Sequence, residues 1–175
     1  DENNPDGPTE EYPDTVDRIV NATNTQLGVN FTPEEQERLR NYMLQLKGTV
    51  AGRFLWQLGT DTVDKLGLAS LQNCAHCVID SPVEPFTWAM DMLMLGSGVG
   101  YNLQKKNVNK LPEVHENFKC PTRKDTHDAD FIVPDSREGW VKLLGKVLKA
   151  YFYSGKGFSY SCMVLRGKGA PIKSF

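Results

Sequence analysis

Residues 74–104 most constrain what this chain can fold into. Cys74–Ile79 has the length and composition of a short strand, and Val99–Gln104 has them again. Between the two, Ser81-Pro82-Val83-Glu84 carries a capping-box signature and opens a helix through Leu95, with Phe86, Met90, Leu93 and Met94 inward. Gly96 is placed to end that helix. A strand, a crossover helix and a second strand in so short a span predict a parallel pair.

The rest of the chain agrees with an α/β class. Asp135-Ser136-Arg137-Glu138 starts a last helix whose buried stripe is Val141, Leu144, Leu148, Tyr151 and Phe152. Gly155 and Gly157 break it, and Phe158–Leu165 alternates like a strand. The second half therefore runs strand, helix, strand, helix, strand, as a parallel sheet or barrel does. Residues 105–133 are polar and irregular, long enough for a functional loop.

The first half reads as helical. Residues 1–11 are acidic and rich in Pro and Gly, a mobile lead-in. A short helix from Asp14 to about Ala22 puts Val16, Ile19 and Val20 on one face. Thr32-Pro33-Glu34-Glu35 caps a second, along which Leu39, Met43 and Leu46 recur before Gly48 closes it. Residues 52–71 read as a loop region. The expected division is a lead-in (1–11), a helical region (12–70) and an α/β region (71–175).

Composition excludes several classes. A formal charge of −2 gives no broad electrostatic case for nucleic acid or anionic membrane. No run of 18 apolar residues exists to span a bilayer. Four cysteines without a secretion signal point to a reducing, cytoplasmic setting. The chain starts without Met and stops at Ile-Lys-Ser-Phe, and it reads as a piece of something larger.

Two motifs carry candidate chemistry. Cys74 and Cys77 form a CxxC, open to three readings. As half a zinc site it lacks a second pair at ligand spacing. As a thioredoxin-like dithiol it would sit at a helix N-terminus. As a strand, it puts positions 74 and 76 on one face and 77 on the other, leaving Cys74 as a redox thiol with a distant partner. Gly96–Gly100 follows a helix instead of opening one, so it is no dinucleotide fingerprint. It serves either as a helix cap with a close-packed strand start or as a bare backbone approached by an anion. Lys105, Lys106 and Lys110 add positive charge downstream, and Arg166–Lys173 forms a basic turn after the last strand.

Together these segments resemble the catalytic polypeptide of ribonucleotide reductases, most closely the adenosylcobalamin-dependent (class II) ribonucleoside-triphosphate reductases. The matching stretches are Leu55-Trp56 with Gly59-Thr60-Asp61, and Leu71-Gln72-Asn73-Cys74. Further along come Pro85-Phe86, Met92-Leu93-Met94 and Gly98-Val99-Gly100. Pro134–Trp140 and Leu165–Ile172 complete the series in the family's order.

The resemblance implies a ten-stranded α/β barrel, of which this chain is the amino-terminal portion. It implies thiyl-radical reduction of a ribonucleotide, with Cys74 as one of two redox cysteines. Asn73, Ser97, Gly98 and Gly100 would lie against the substrate, and Lys105, Lys106 and Asn107 near a deoxynucleotide effector. No metal ligand is implied in this chain. Implied partners are adenosylcobalamin, the remaining carboxy-terminal portion and a thioredoxin-like reductant. The radical cysteine, the second redox cysteine and most cobalamin contacts are expected outside this sequence, and Cys77 and His76 have no counterpart in the pattern. The same resemblance leaves open a class I large subunit, whose radical comes from a separate metal-containing subunit. A zinc or nucleotide-binding module using Cys74 and Cys77 is the reading from another class.

Overall fold

The computed structural model describes residues 9–170 and divides the chain into two compact units, Asp1–Gln72 and Asn73–Phe175. Residues 1–8 of the expected lead-in and Pro171, Ile172 and Lys173 of the basic turn lie outside the described residues.

The first unit is helical: α1 (Tyr12–Thr25), α2 (Pro33–Leu44), α3 (Gly52–Gln57), α4 (Asp61–Leu66) and a tighter turn at Leu68–Leu71. The apolar face of α1 supplies Val16, Ile19 and Val20 to a core completed by Met43, Leu58, Val63 and Leu71. At the start of α2 the Thr32 hydroxyl accepts from Glu35 N–H while the Glu35 carboxylate accepts from Thr32 N–H, the reciprocal cap expected there. The helix ends sooner than its apolar spacing suggests. Leu46 N–H donates to the Met43 carbonyl and Lys47 N–H to that of Tyr42, which places Leu46 at φ +53° and 79% exposed. Leu46 is therefore part of the stop signal and not of the buried stripe.

Residues 52–71, expected as a loop region, are instead α3, α4 and the Leu68–Leu71 turn. Arg18 of α1 ties them down, donating to the carbonyls of Leu55 and Leu58 and pairing with Glu10. Gly59 passes so close to Arg18 that a Cβ there would lie 2.5 Å from Arg18 Cγ.

The second unit is α/β. It comprises β1 (Cys74–Val78), α5 (Glu84–Met94), β2 (Gly98–Asn102), α6 (Lys105–Val108), β3 (Thr122–Arg123), β4 (Phe131–Ile132), α7 (Arg137–Lys149) and β5 (Ser159–Ser161). A wider turn over Ala150–Ser154 prolongs α7, with Gly155 in the left-handed region as its stop. All pairings are parallel: β1 with β2, and β3 and β4 on either side of β5. The polar stretch 105–133 thus contains α6 and two strands, and the last strand is three residues long.

Helix α5 packs on β1 and β2 and, on another side, against α7, where Thr87 approaches Gly145 and Arg137 pairs with Asp91 at 3.4 Å. Its buried face is Pro85, Ala89 and Met92, while Leu93 is exposed. Of the set expected inward, Phe86, Met90 and Met94 are half-buried and only Leu93 is exposed, because the line of closest contact runs through Pro85, Ala89 and Met92. The helix also begins later than its signature implies. Ser81 does not cap the backbone; its hydroxyl donates to the Glu84 carboxylate at 2.8 Å. Ser136 does cap α7, accepting from Gly139 N–H. On α7 the fully buried positions are Gly139 and Leu143, with Ala150 beyond its end.

Two carboxylates fasten the three-stranded sheet. Asp130 accepts from the Ser159 N–H and hydroxyl, and Asp125 accepts from Cys162 N–H at 2.7 Å and pairs with Arg123. Ser159 holds the Asp130 carboxyl below its ordinary value, and Arg123, with the Cys162 amide, does the same for Asp125. A carboxylate favoured in the fold contributes above the unfolded value of about 3.9, and the contribution is lost as pH falls through the folded one. Amides of Ser159 and Cys162 are therefore expected to lose hydrogen-exchange protection on acidification below about pH 4, and Asp130→Asn should abolish the pH dependence at Ser159.

Candidate active-site face

A parallel strand pair alternates its side chains, so β1 offers Cys74, His76 and Val78 on one face and Ala75 and Cys77 on the other. Burial follows that alternation, with the first three exposed and the other two half-buried. The register sets Cys74 opposite Gly98 and His76 opposite Gly100. Gly98 N–H donates to the Asn73 carbonyl at 2.9 Å, extending the ladder one step beyond Cys74. A Cβ on Gly100 would stand 3.3 Å from His76 Cδ2. The two glycines thus leave a bare strip of backbone beside the thiol and the imidazole.

Cys77 turns toward α5, where its thiol lies 3.8 Å from the Pro85 carbonyl oxygen. Burial pushes that thiol above its ordinary pKa. With the sulfurs of the CxxC on opposite faces of one strand, they can neither close a local disulfide nor grip one ion together. Among the described residues no group of three or more His, Cys, Asp or Glu is placed to hold a metal. Cys120 and Cys162 lie elsewhere, Cys120 Sγ resting 3.7 Å from the Tyr151 hydroxyl.

The other sequence candidates divide. Asn73 is exposed just ahead of β1, and Gly98 and Gly100 are exposed opposite Cys74 and His76. Ser97 is buried, at 3% exposure. Its N–H donates to the Met92 carbonyl while Gly96 N–H, at φ +85°, donates to Leu93, so Gly96-Ser97 is the stop of α5. Lys105 and Lys106 are exposed on α6, whereas Asn107 is buried. Lys110 pairs with Asp80 at 3.8 Å, and Arg166 of the basic turn pairs with Asp135 at 3.0 Å. His76, expected on the face of Cys74 from strand alternation, is exposed there. Its signal was the period of two from Cys74.

Comparison with known proteins bears on this face. A probable adenosylcobalamin-dependent ribonucleoside-triphosphate reductase of Dictyostelium discoideum is 31% identical across 97% of this chain and 26% of its own length. The chain is homologous to the adenosylcobalamin-dependent ribonucleoside-triphosphate reductases. Enzymes of that name from Euglena gracilis and Levilactobacillus brevis are 30% and 28% identical, over 97% and 95% of the chain. The crystal structure of a B12-dependent (class II) ribonucleotide reductase superposes with a TM-score of 0.74 at 26% identity, covering 95% of this chain and 31% of that one. No protein-family profile matches. The chain spans about a quarter of the length of the curated relatives it matches.

Proposed function

We propose that this chain forms the amino-terminal part of an adenosylcobalamin-dependent ribonucleotide reductase and contributes one wall of its active site. The observation that carries the reading is the outward, unshared thiol of Cys74 beside a glycine strip. It comes in a chain whose relatives bear that name along nearly all its length.

In this reading β1 and β2 begin a ten-stranded barrel whose remaining strands come from the rest of the polypeptide. The ribose lies along Gly98 and Gly100, within reach of Asn73. Cys74 donates its proton to the 2′-hydroxyl, which leaves as water. The Cys74 thiolate and the thiol of a second cysteine outside this chain then join as a disulfide, and the two electrons and one proton released convert the 2′-carbon to its reduced C–H form. A thioredoxin-like dithiol returns both sulfurs to thiols. Ser97 serves by fixing where the glycine strip begins, while Lys105, Lys106 and Asn107 border a deoxynucleotide effector.

Adenosylcobalamin, when bound, supplies the radical that starts the reaction. The two-stranded face is only one inter-strand spacing wide, about 4.8 Å, too narrow by itself for a corrin ring. The cofactor's contacts are accordingly assigned to the rest of the enzyme, and none to residues here.

The test is turnover. The complete polypeptide with adenosylcobalamin and a dithiol should convert a ribonucleoside triphosphate to its 2′-deoxy form, and this chain alone should not. Activity that ignores cobalamin but needs a separate metal-containing subunit would overturn the assignment in favour of a two-component reductase. Stoichiometric zinc bound through Cys74 and Cys77 would overturn it in favour of a binding module.

A further inference from the structure

We propose that His76 is a second substrate-holding side chain on the face of Cys74, contacting the ribonucleotide whose 2′-carbon lies at the thiol. The inference rests on the reductase reading above and adds to it a residue for which the family pattern has no counterpart.

Three observations converge on it. His76 follows Cys74 by two positions on one strand, so their side chains rise from the same face about 6.6 Å apart along it. A nucleotide whose ribose sits over the sulfur extends across that distance. The partner position on β2 is Gly100, where even a methyl group would press on His76 Cδ2 at 3.3 Å. The glycine therefore lets the imidazole lie down along the backbone of β2, bordering the same strip that Gly98 opens beside Cys74. Finally, the ring is exposed and neither nitrogen has a hydrogen-bond partner among the described residues.

An exposed imidazole on this face, with its two ring nitrogens unbonded among the described residues, is suited to a polar group of a ligand. Cys74 is the group that reacts, while His76 fixes where along the strip the nucleotide stops. It is a holding residue, and its loss should appear in substrate affinity before it appears in chemistry.

The experiment is steady-state kinetics on the complete reductase carrying His76→Ala and His76→Asn. His76→Ala is expected to raise KM for the ribonucleotide about tenfold while kcat stays within about threefold. His76→Asn, which keeps a short donor and acceptor, should recover most of the KM. Thermal midpoints of all three proteins should agree. An unchanged KM in His76→Ala overturns the proposal, as does a KM rise matched by a lowered thermal midpoint and left uncorrected by Asn. Cys74→Ser assayed alongside separates the two readings. Full turnover by Cys74→Ser sinks the reductase assignment itself, whereas a dead Cys74→Ser with a normal His76→Ala sinks only the role of His76.

Discussion

Cys74→Ser in the complete enzyme should abolish multiple turnover, by at least a thousandfold, while nucleotide binding changes little. Serine keeps the size and polarity of the side chain but has no accessible disulfide, so the two electrons for the 2′-carbon have no source. Cys77→Ser should be mild, within a few-fold of the parent. Its sulfur faces Pro85 and α5, and the substitution there exchanges one weak hydrogen bond for another. Turnover with excess dithiol, together with equilibrium dialysis of the substrate, measures both quantities. Equal, total loss from both variants would mean that the two sulfurs work together after all. That outcome would require a strand geometry other than the one described.

Gly139→Ala should be strongly destabilising to the second unit. A Cβ at Gly139 would fall 2.3 Å from the Pro134 carbonyl oxygen and 3.0 Å from Pro134 Cδ. Backbone cannot swing aside as a side chain can, and the same carbonyl already accepts from Ser136 N–H at 2.8 Å. The first turn of α7, with the cap from Ser136 to Gly139 N–H, would have to open. A cost of about 2–3 kcal/mol follows from overpacking of this kind. For a chain of this size that is a fall in Tm of roughly 5–10 °C. Gly167→Ala is the control, because nothing lies within 4 Å of a Cβ there, and it should leave Tm unchanged. Equal midpoints for the two variants would refute the crowding argument.

Much of the second unit was legible from residues 74–104 because each element there is announced twice. β1 has both the length of a strand and the alternation that parts Cys74 from Cys77, and α5 has both a run of apolar residues and a glycine stop, though its opening signature set the start too early. The first unit hid α3 and α4 because six residues make fewer than two turns, too few for an apolar period to emerge. At Leu46 the period itself misled: leucine there continues the pattern of Leu39 and Met43, yet its backbone has already turned. Leu93 shows the complementary error, since hydrophobic character alone does not say which side of a helix meets its neighbour.

The candidate face divided along the same line. The direction of Cys74 follows from strand alternation, a purely local property. The burial of Ser97 does not, because Gly-Ser-Gly looks like an open turn until the carbonyls of Met92 and Leu93 claim its amides. Asn107 is similar, its burial depending on what the short α6 packs against.

The bond from Gly98 N–H to the Asn73 carbonyl has a consequence for assembly. Were β1 to slip by a single residue against its neighbour, every side chain would exchange sides. Ala75 and Cys77 would then look outward in place of Cys74 and His76, without any change in composition. The slip would also turn Cys74, His76 and Val78 toward α5, where Ala75 and Cys77 now pack. The pairing of Cys74–Val78 with Gly98–Asn102, extended at one end by that amide and at the other by the bond from Ile79 N–H to the Asn102 carbonyl, therefore fixes which way the proposed redox thiol points.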